Sequence, residues 1–163
     1  MPAGSTYTPI ATTTLGSTAT SYTFTSIPQT YTDIVLISNV LPASDARVKL
    51  RVNSDSGSNY SYTSVAGNGS VTQSGRVSSY TEIDLFWLAL PSGWSTYISN
   101  FQNYSNTATF KTILNRGNSP AVETTATVGM WRSTSAISSI QIFTNAGNFA
   151  IGTTFTLYGI ASA

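Results

Sequence analysis

The chain has 163 residues, of which 40% are hydrophobic and only 8% charged, with a formal net charge of +1; an ordinary soluble domain carries roughly 25% charged residues. It contains no Cys and no His, which excludes a disulfide framework, a thiol nucleophile and cysteine metal sites, and removes the commonest general base and metal ligand. The near-neutral charge gives no electrostatic basis for binding nucleic acid, no apolar run reaches the roughly 18 residues of a membrane span, and Met1–Leu15 lacks the basic-then-apolar layout of a signal peptide.

The length fits one domain, and Ser and Thr, at roughly a third of the chain, replace the missing charges. Residues 1–6 read as a short N-terminal arm, followed by a β domain over 7–163. Tyr7–Leu15 reads as an edge strand that turns at Gly16 into a strand over Ser21–Phe24. Ile34-Val35-Leu36-Ile37 is apolar at four successive positions, the pattern of a central strand covered on both faces. Val48, Leu50 and Val52 alternate with Arg47, Lys49 and Arg51. Ile83, Leu85 and Trp87 alternate with Glu82, Asp84 and Phe86, and Phe155, Leu157 and Gly159 with Thr154, Thr156 and Tyr158. This period of 2 places one set of side chains on a core and the other on solvent or a neighbour. Clusters of Gly, Pro, Asn, Asp and Ser separate the strings, including Leu41–Asp45, Ser54–Asn59, Gly67–Ser70, Pro91–Gly93, Asn103–Thr107, Gly117–Pro120 and Asn145–Asn148. The pattern predicts an all-β, single-domain sandwich of about eight to ten antiparallel strands, jelly-roll-like.

Glu82 and Asp84 lie two apart on one strand, about 7 Å from each other, which suits a pair of glycosidase carboxylates. Their alternation with Ile83 and Leu85 instead marks the solvated side of an amphipathic strand. No Ser lies in a Gly-x-Ser-x-Gly elbow, and no His is present to activate one. No catalytic residue and no cofactor is expected. Asn53-Ser54-Asp55-Ser56-Gly57 is laid out like the opening of a calcium loop, but Tyr62, Thr63 and Ser64 stand where the distal Glu belongs, so a simple turn is the expectation. Arg47, Lys49 and Arg51 put three cations on one face of one strand. They read either as a protected edge or as a rim contact with acidic groups on a partner, and Asp45, Asp55, Glu82 and Asp84 are available to neutralise them within the domain. Among the aromatic residues Tyr60, Tyr62, Tyr80, Trp94, Tyr97, Phe101 and Tyr104, most are expected in the core; Trp94, after Pro91-Ser92-Gly93, is the choice for an exposed anchor. The Asn-x-Ser triplets at Asn59, Asn68 and Asn103 arise readily by chance in so Ser-rich a chain.

The phrases Arg51–Tyr60 (RVNSDSGSNY), Asn103–Asn106 (NYSN), Val128–Thr134 (VGMWRST) and Asn148–Ile160 (NFAIGTTFTLYGI) resemble those of small β-sandwich or jelly-roll virion structural proteins of tailed bacteriophages, notably cyanophage-like ones. The resemblance runs from Tyr7 to Ile160 and carries no catalytic motif. It implies either of two roles. One is a capsid decoration (cement) protein on the outer surface of the head, self-associating as a homotrimer and binding the major capsid protein. The other is a tail-fibre or appendage module that binds a host-surface glycan. The expected contact residues are Pro2 and Tyr7 from the arm, Arg47, Lys49 and Arg51 from the basic strand, and Trp94.

Overall fold

The computed structural model describes residues 6–42, 46–86, 93–120 and 122–161, and among these it has twelve strands and no helix. In chain order they are β1 (Tyr7–Thr14), β2 (Ser21–Phe24), β3 (Asp33–Val40), β4 (Val48–Val52), β5 (Tyr60–Gly67), β6 (Thr72–Tyr80), β7 (Ile83–Asp84), β8 (Ser95–Gln102), β9 (Lys111–Ser119), β10 (Glu123–Trp131), β11 (Ile140–Thr144) and β12 (Thr154–Ile160). All pairings are antiparallel. They make one sheet in the order β1-β12-β3-β8-β9-β10-β5-β6 and a second in the order β2-β11-β4-β7.

Without the hairpins β5–β6 and β9–β10, the orders are β1-β12-β3-β8 and β2-β11-β4-β7. That is the eight-strand, two-sheet arrangement of a jelly roll. The two hairpins lie side by side and double the width of the first sheet. They also raise the strand number above the eight to ten expected. Their sequences hide them: β6 (TQSGRVSSY) has no apolar alternation, and Gly117–Pro120, expected as a connection, supplies the end of β9. Gly117 is needed there for closeness, because a Cβ would lie 2.9 Å from the Phe86 ring and 3.0 Å from that of Tyr97.

The inner faces meet over Phe24, Val48, Leu50, Val52, Ile140 and Ile142 of the small sheet and Ile34, Leu36, Phe101, Ile113, Phe155 and Leu157 of the large one. β3 is interior to its sheet; of the apolar run Ile34, Val35 and Leu36 are buried and Ile37 is half-buried, and only Ile34 and Leu36 face the second sheet, so the expected cover on both faces is not found among the described residues. Where the large sheet extends beyond the small one, its inner row turns polar: Ser64, Thr127, Asn115 and Ser99 lie directly across successive strands. They satisfy one another through Ser64–Thr127 (2.7 Å) and Ser99–Asn115 (2.9 Å), while Asn115 Nδ2 donates to the Leu85 carbonyl at 2.8 Å. Buried polar groups are tolerated when paired in this way.

The strand expected over Glu82–Trp87 ends at Asp84. Leu85 and Phe86 are both buried, Phe86 edge-on against Tyr97 at 5.7 Å, so the alternation fails where the chain leaves the sheet to cover the added hairpins. Trp87 and Pro91-Ser92 lie outside the described residues, as do Asp45, Pro2 and all of the expected arm except Thr6.

Gly159 on β12 packs flat against Tyr31, whose ring carbons stand 2.4 Å from where a Cβ would be. Overpacking of this kind costs about 1–3 kcal/mol. Gly159→Ala is therefore expected to lower stability in urea denaturation by that amount, and to have little further effect in a Tyr31→Ala background. Equal losses in both backgrounds would show that the ring is not what reserves the site for glycine.

Candidate functional site

Alternation on β4 sends Val48, Leu50 and Val52 into the core and Lys49 and Arg51 to the other face of the small sheet. There Lys49 stands opposite Asp84 of β7, and the cations meet the two carboxylates. Lys49 Nζ lies 2.7 Å from Glu82 and 3.5 Å from Asp84, Arg47 3.2 Å from Asp84, and Arg51 3.0 Å from Glu82. Tyr80, at the end of β6, closes over Lys49 with its ring centroid 5.2 Å away, and Arg51 lies 4.8 Å from the Phe143 ring centroid. Glu82 and Asp84 are 7% and 3% exposed. They are buried, which corrects the expectation that they form a solvated strand face.

Desolvation alone would raise the Glu82 carboxyl, but hydrogen bonds from Lys49, Thr81 and Arg51 hold it below its ordinary value of 4.5. Desolvation would likewise lower Lys49, yet Glu82 and Asp84 keep it above 10.5. Burial raises the Tyr62 phenol, and the facing Asp84 raises it further. Tyr62, Asp84 and Arg47 border a hollow of about 140 Å³ with Val77 and Phe86. Both carboxylates are thus committed to cations, and Glu82, held below its ordinary value, is not poised to exchange a proton near neutral pH. This supports neutralisation within the domain for the Arg47, Lys49 and Arg51 strand. Lys49 is buried, and of the three only the Arg47 side chain, 44% exposed, is widely open to solvent.

The calcium-like loop is likewise occupied by its own contacts. The Asp55 carboxylate accepts from Gly57 N at 2.8 Å, Asn59 Nδ2 at 2.9 Å and Trp131 Nε1 at 2.7 Å. These hold it below 3.8 against the opposing effect of desolvation. Asn53 and Ser54 both have positive φ and close a tight turn in which Asp55 N donates to the Val52 carbonyl at 3.0 Å, so the Asn/Asp/Ser/Gly composition serves the turn.

Among the described residues, the outer face of the large sheet is a broad surface with no second layer over it. Register places Arg76, Thr63, Val128, Leu114, Asn100, Val35, Tyr158 and Pro9 in one row across all eight strands. The adjacent row is Ser74, Val65, Ala126, Arg116, Ile98, Ile37, Thr156 and Thr12. Val65 and Val128 are 57% and 53% exposed. With strands about 4.8 Å apart and about 3.3 Å per residue, the face is about 34 Å by 25 Å, on the order of 800 Å². One partner's share of a standard protein interface is about that size. It dips shallowly: a hollow of about 370 Å³ lies among Asp33, Asn100, Gln102, Leu114 and Arg116, and a second of about 220 Å³ beside Ile98 and Thr124.

Arg76 and Arg116 give this face its charge. Five of the chain's seven cations are engaged within the fold: Arg47, Lys49 and Arg51 as above, Lys111 through the carbonyls of Thr109 and Thr134, and Arg132 through that of Ser58. Arg76 and Arg116 make no ion pair or side-chain hydrogen bond among the described residues. Three inter-strand spacings and one row separate them, about 16 Å.

Of the residues singled out from sequence, Tyr7 joins this face at its β1 edge, 52% exposed and edge-on to Tyr158 at 6.1 Å. Trp94 is exposed as expected, at 47%, but it lies apart, beside Gly152. Tyr60, Tyr62, Tyr97, Phe101 and Tyr104 are buried. Arg76, Arg116, Val65 and Val128 were not singled out; the available signal was two arginines within Ser/Thr/Gly strings with no carboxylate near in sequence. Compared with protein-family models, curated proteins and solved structures, the chain matches none.

The ion network sets a pH window. Glu82, depressed in the folded state, stabilises above 4.5, and that stabilisation is lost as pH falls through its lower folded value; Lys49, raised, stabilises below 10.5, and that is lost as pH climbs through its higher folded value. Removing one partner of a buried pair costs about 3–5 kcal/mol. Glu82→Gln is expected to lose about that much in urea denaturation near neutral pH and to flatten the acid side of the stability curve. A loss below about 1 kcal/mol would mean the network is effectively solvated.

Proposed function

We propose that the protein is a non-enzymatic virion structural protein: a decoration (cement) protein of a tailed phage that sits on the outer surface of the head and binds the major capsid protein, self-associating as a homotrimer. The observation that carries the adhesive part of this reading is the outer face of the large sheet, which combines interface-sized area, Thr, Val, Ala and Ile side chains, and two arginines without anionic partners. The phage setting rests on the resemblance of Arg51–Tyr60, Val128–Thr134 and Asn148–Ile160. A protein whose complete binding site exists only on the assembled shell stabilises that shell by mass action, and several weak contacts per trimer add avidity. Arg76 and Arg116 steer encounter with carboxylates and make attachment salt-dependent.

A second reading, a tail appendage that binds a host-surface glycan, is favoured by one observation, the exposed indole of Trp94. Aromatic rings stack on sugar faces. A glycan array on which strong saccharide-specific binding disappears in Trp94→Ala would select this reading.

Quantifying the protein in purified particles tests the head assignment. Hundreds of copies per particle are expected, with heat resistance of the head falling when they are removed. A few copies at the tail, or none, would reject it. The Arg76→Glu/Arg116→Glu double variant is expected to keep its fold and to lose attachment more than tenfold at low salt, two charge reversals at an interface being worth on the order of 2 kcal/mol or more. Retained attachment would remove the large-sheet face from the contact.

A further inference from the structure

We infer that the free edge of β6 is a binding site for an extended, acidic segment of a partner protein, which adds to the large sheet as a ninth strand. The inference stands on the edge itself and holds whichever surface the protein serves.

A strand at a sheet edge presents a row of unpaired N–H and C=O groups, and folded proteins usually blunt such edges. Three of the four edges here are blunted. β1 carries Pro9, and its pairing slips between Pro9 and Ala11. β2 has four residues and β7 two. β6 differs on each count. It has nine residues and no Pro, its one charge is Arg76, and its register with β5 is unbroken from Gly67↔Thr72 to Tyr62↔Val77. Its irregularity comes only beyond Val77, where Ser79 has φ 55° and Tyr80 is drawn onto Lys49. The hairpin is held at both ends: Asn68 Oδ1 accepts from Ser70 N at 3.0 Å and Val71 N at 2.8 Å, and the ion network holds Tyr80. Between these anchors Thr72–Val77 is a straight edge, with β5 its single strand partner among the described residues.

Charge and size identify the occupant. Arg76 sits within the edge, exposed and without an anionic partner among the described residues, and opposite charges directly across a strand pair attract. A second copy of this chain joined edge to edge would put two Arg76 side chains on one face of the junction with no carboxylate between them. It would also build a sixteen-stranded sheet, whereas twisted open sheets rarely exceed about ten strands. A single added strand makes nine and leaves the outer face of the sheet continuous with the newcomer. Main-chain hydrogen bonds then supply affinity, and a carboxylate across from Arg76 supplies register and selectivity.

The test uses the intact protein and two blocked peptides of alternating Thr and Val, one with a central Glu and one with a central Lys. Amide hydrogen exchange is followed residue by residue. The Glu peptide is expected to slow exchange within Thr72–Val77 and to bind about threefold to tenfold more tightly than the Lys peptide; Arg76→Glu is expected to reverse that order. Because successive residues point their N–H groups to opposite sides of a strand, one of Ser74 and Gly75 directs its N–H away from β5. Of Ser74→Pro and Gly75→Pro, the variant that keeps its melting temperature is expected to lose the peptide. Equal binding of both peptides, protection at β1 instead of β6, or no protection at millimolar peptide would overturn the proposal. So would slowed exchange in β6 that rises with the concentration of the protein alone, which would make a second copy the occupant.

Discussion

A four-stranded sheet covers only part of an eight-stranded one, and the consequences of that mismatch organise this molecule. The jelly-roll core pairs β1, β12, β3 and β8 with β2, β11, β4 and β7 across an apolar layer. The hairpins β5–β6 and β9–β10 extend one sheet past the other. Their inner surface therefore needs a different chemistry from the apolar layer, which Ser64, Thr127, Asn115 and Ser99 provide by bonding to one another. Their outer surface doubles the width of the face that β1, β12, β3 and β8 form alone. Their last strand, β6, ends the sheet without the short length or proline found at the other edges, and its register slips only beyond Val77. The candidate face and the candidate edge are both products of the added hairpins.

The ion network is the counterpart of that extension. An oversized hairpin held only by backbone pairing to its neighbour would be free to fray, since stability is local and follows buried contacts. Lys49 bonds the Tyr80 hydroxyl at the end of β6, and Asp84 of β7 faces Tyr62 of β5, which ties the β5–β6 hairpin to β4 and β7. Buried ion pairs contribute little net stability compared with an apolar packing of the same shape, but they specify geometry, because any other arrangement strands a charge. Here the geometry specified is the angle at which the added hairpins meet the small sheet. Pairing five charges at the small sheet leaves Arg76 and Arg116 as the cations without partners among the described residues, and both point out from the large sheet.

The all-β class and the jelly-roll core were legible because their strands carry the signal that period-2 reading detects: Val48-Leu50-Val52, Phe155-Leu157 and the solid apolar run at Ile34–Ile37. The added hairpins were harder to read. β6 has only Val77 and Tyr80 packed against the core, and β10 opens with Thr on both faces, so neither shows contrast between its faces. Gly117 looked like a turn residue because composition does not distinguish a glycine chosen for φ from one chosen to let two aromatic rings approach. The basic strand at Arg47–Arg51 was visible, but its partners Glu82 and Asp84 are distant in sequence, and their alternation with apolar residues suggested solvent when the real neighbour was a second layer of side chains. Arg76 and Arg116 carry the opposite lesson: their significance is that nothing pairs with them, which only the folded arrangement reveals.

Adhesion through the outer face of the large sheet is the central claim, and solvent footprinting of the protein free in solution and bound to heads tests it most directly. With hydroxyl radicals as the probe, Val65, Leu114 and Val128 are expected to lose reactivity on the particle while Phe143, on the outer face of the small sheet, keeps it. Unchanged reactivity at Val65, Leu114 and Val128, with protection confined to the small sheet or to Trp94, would contradict the claim.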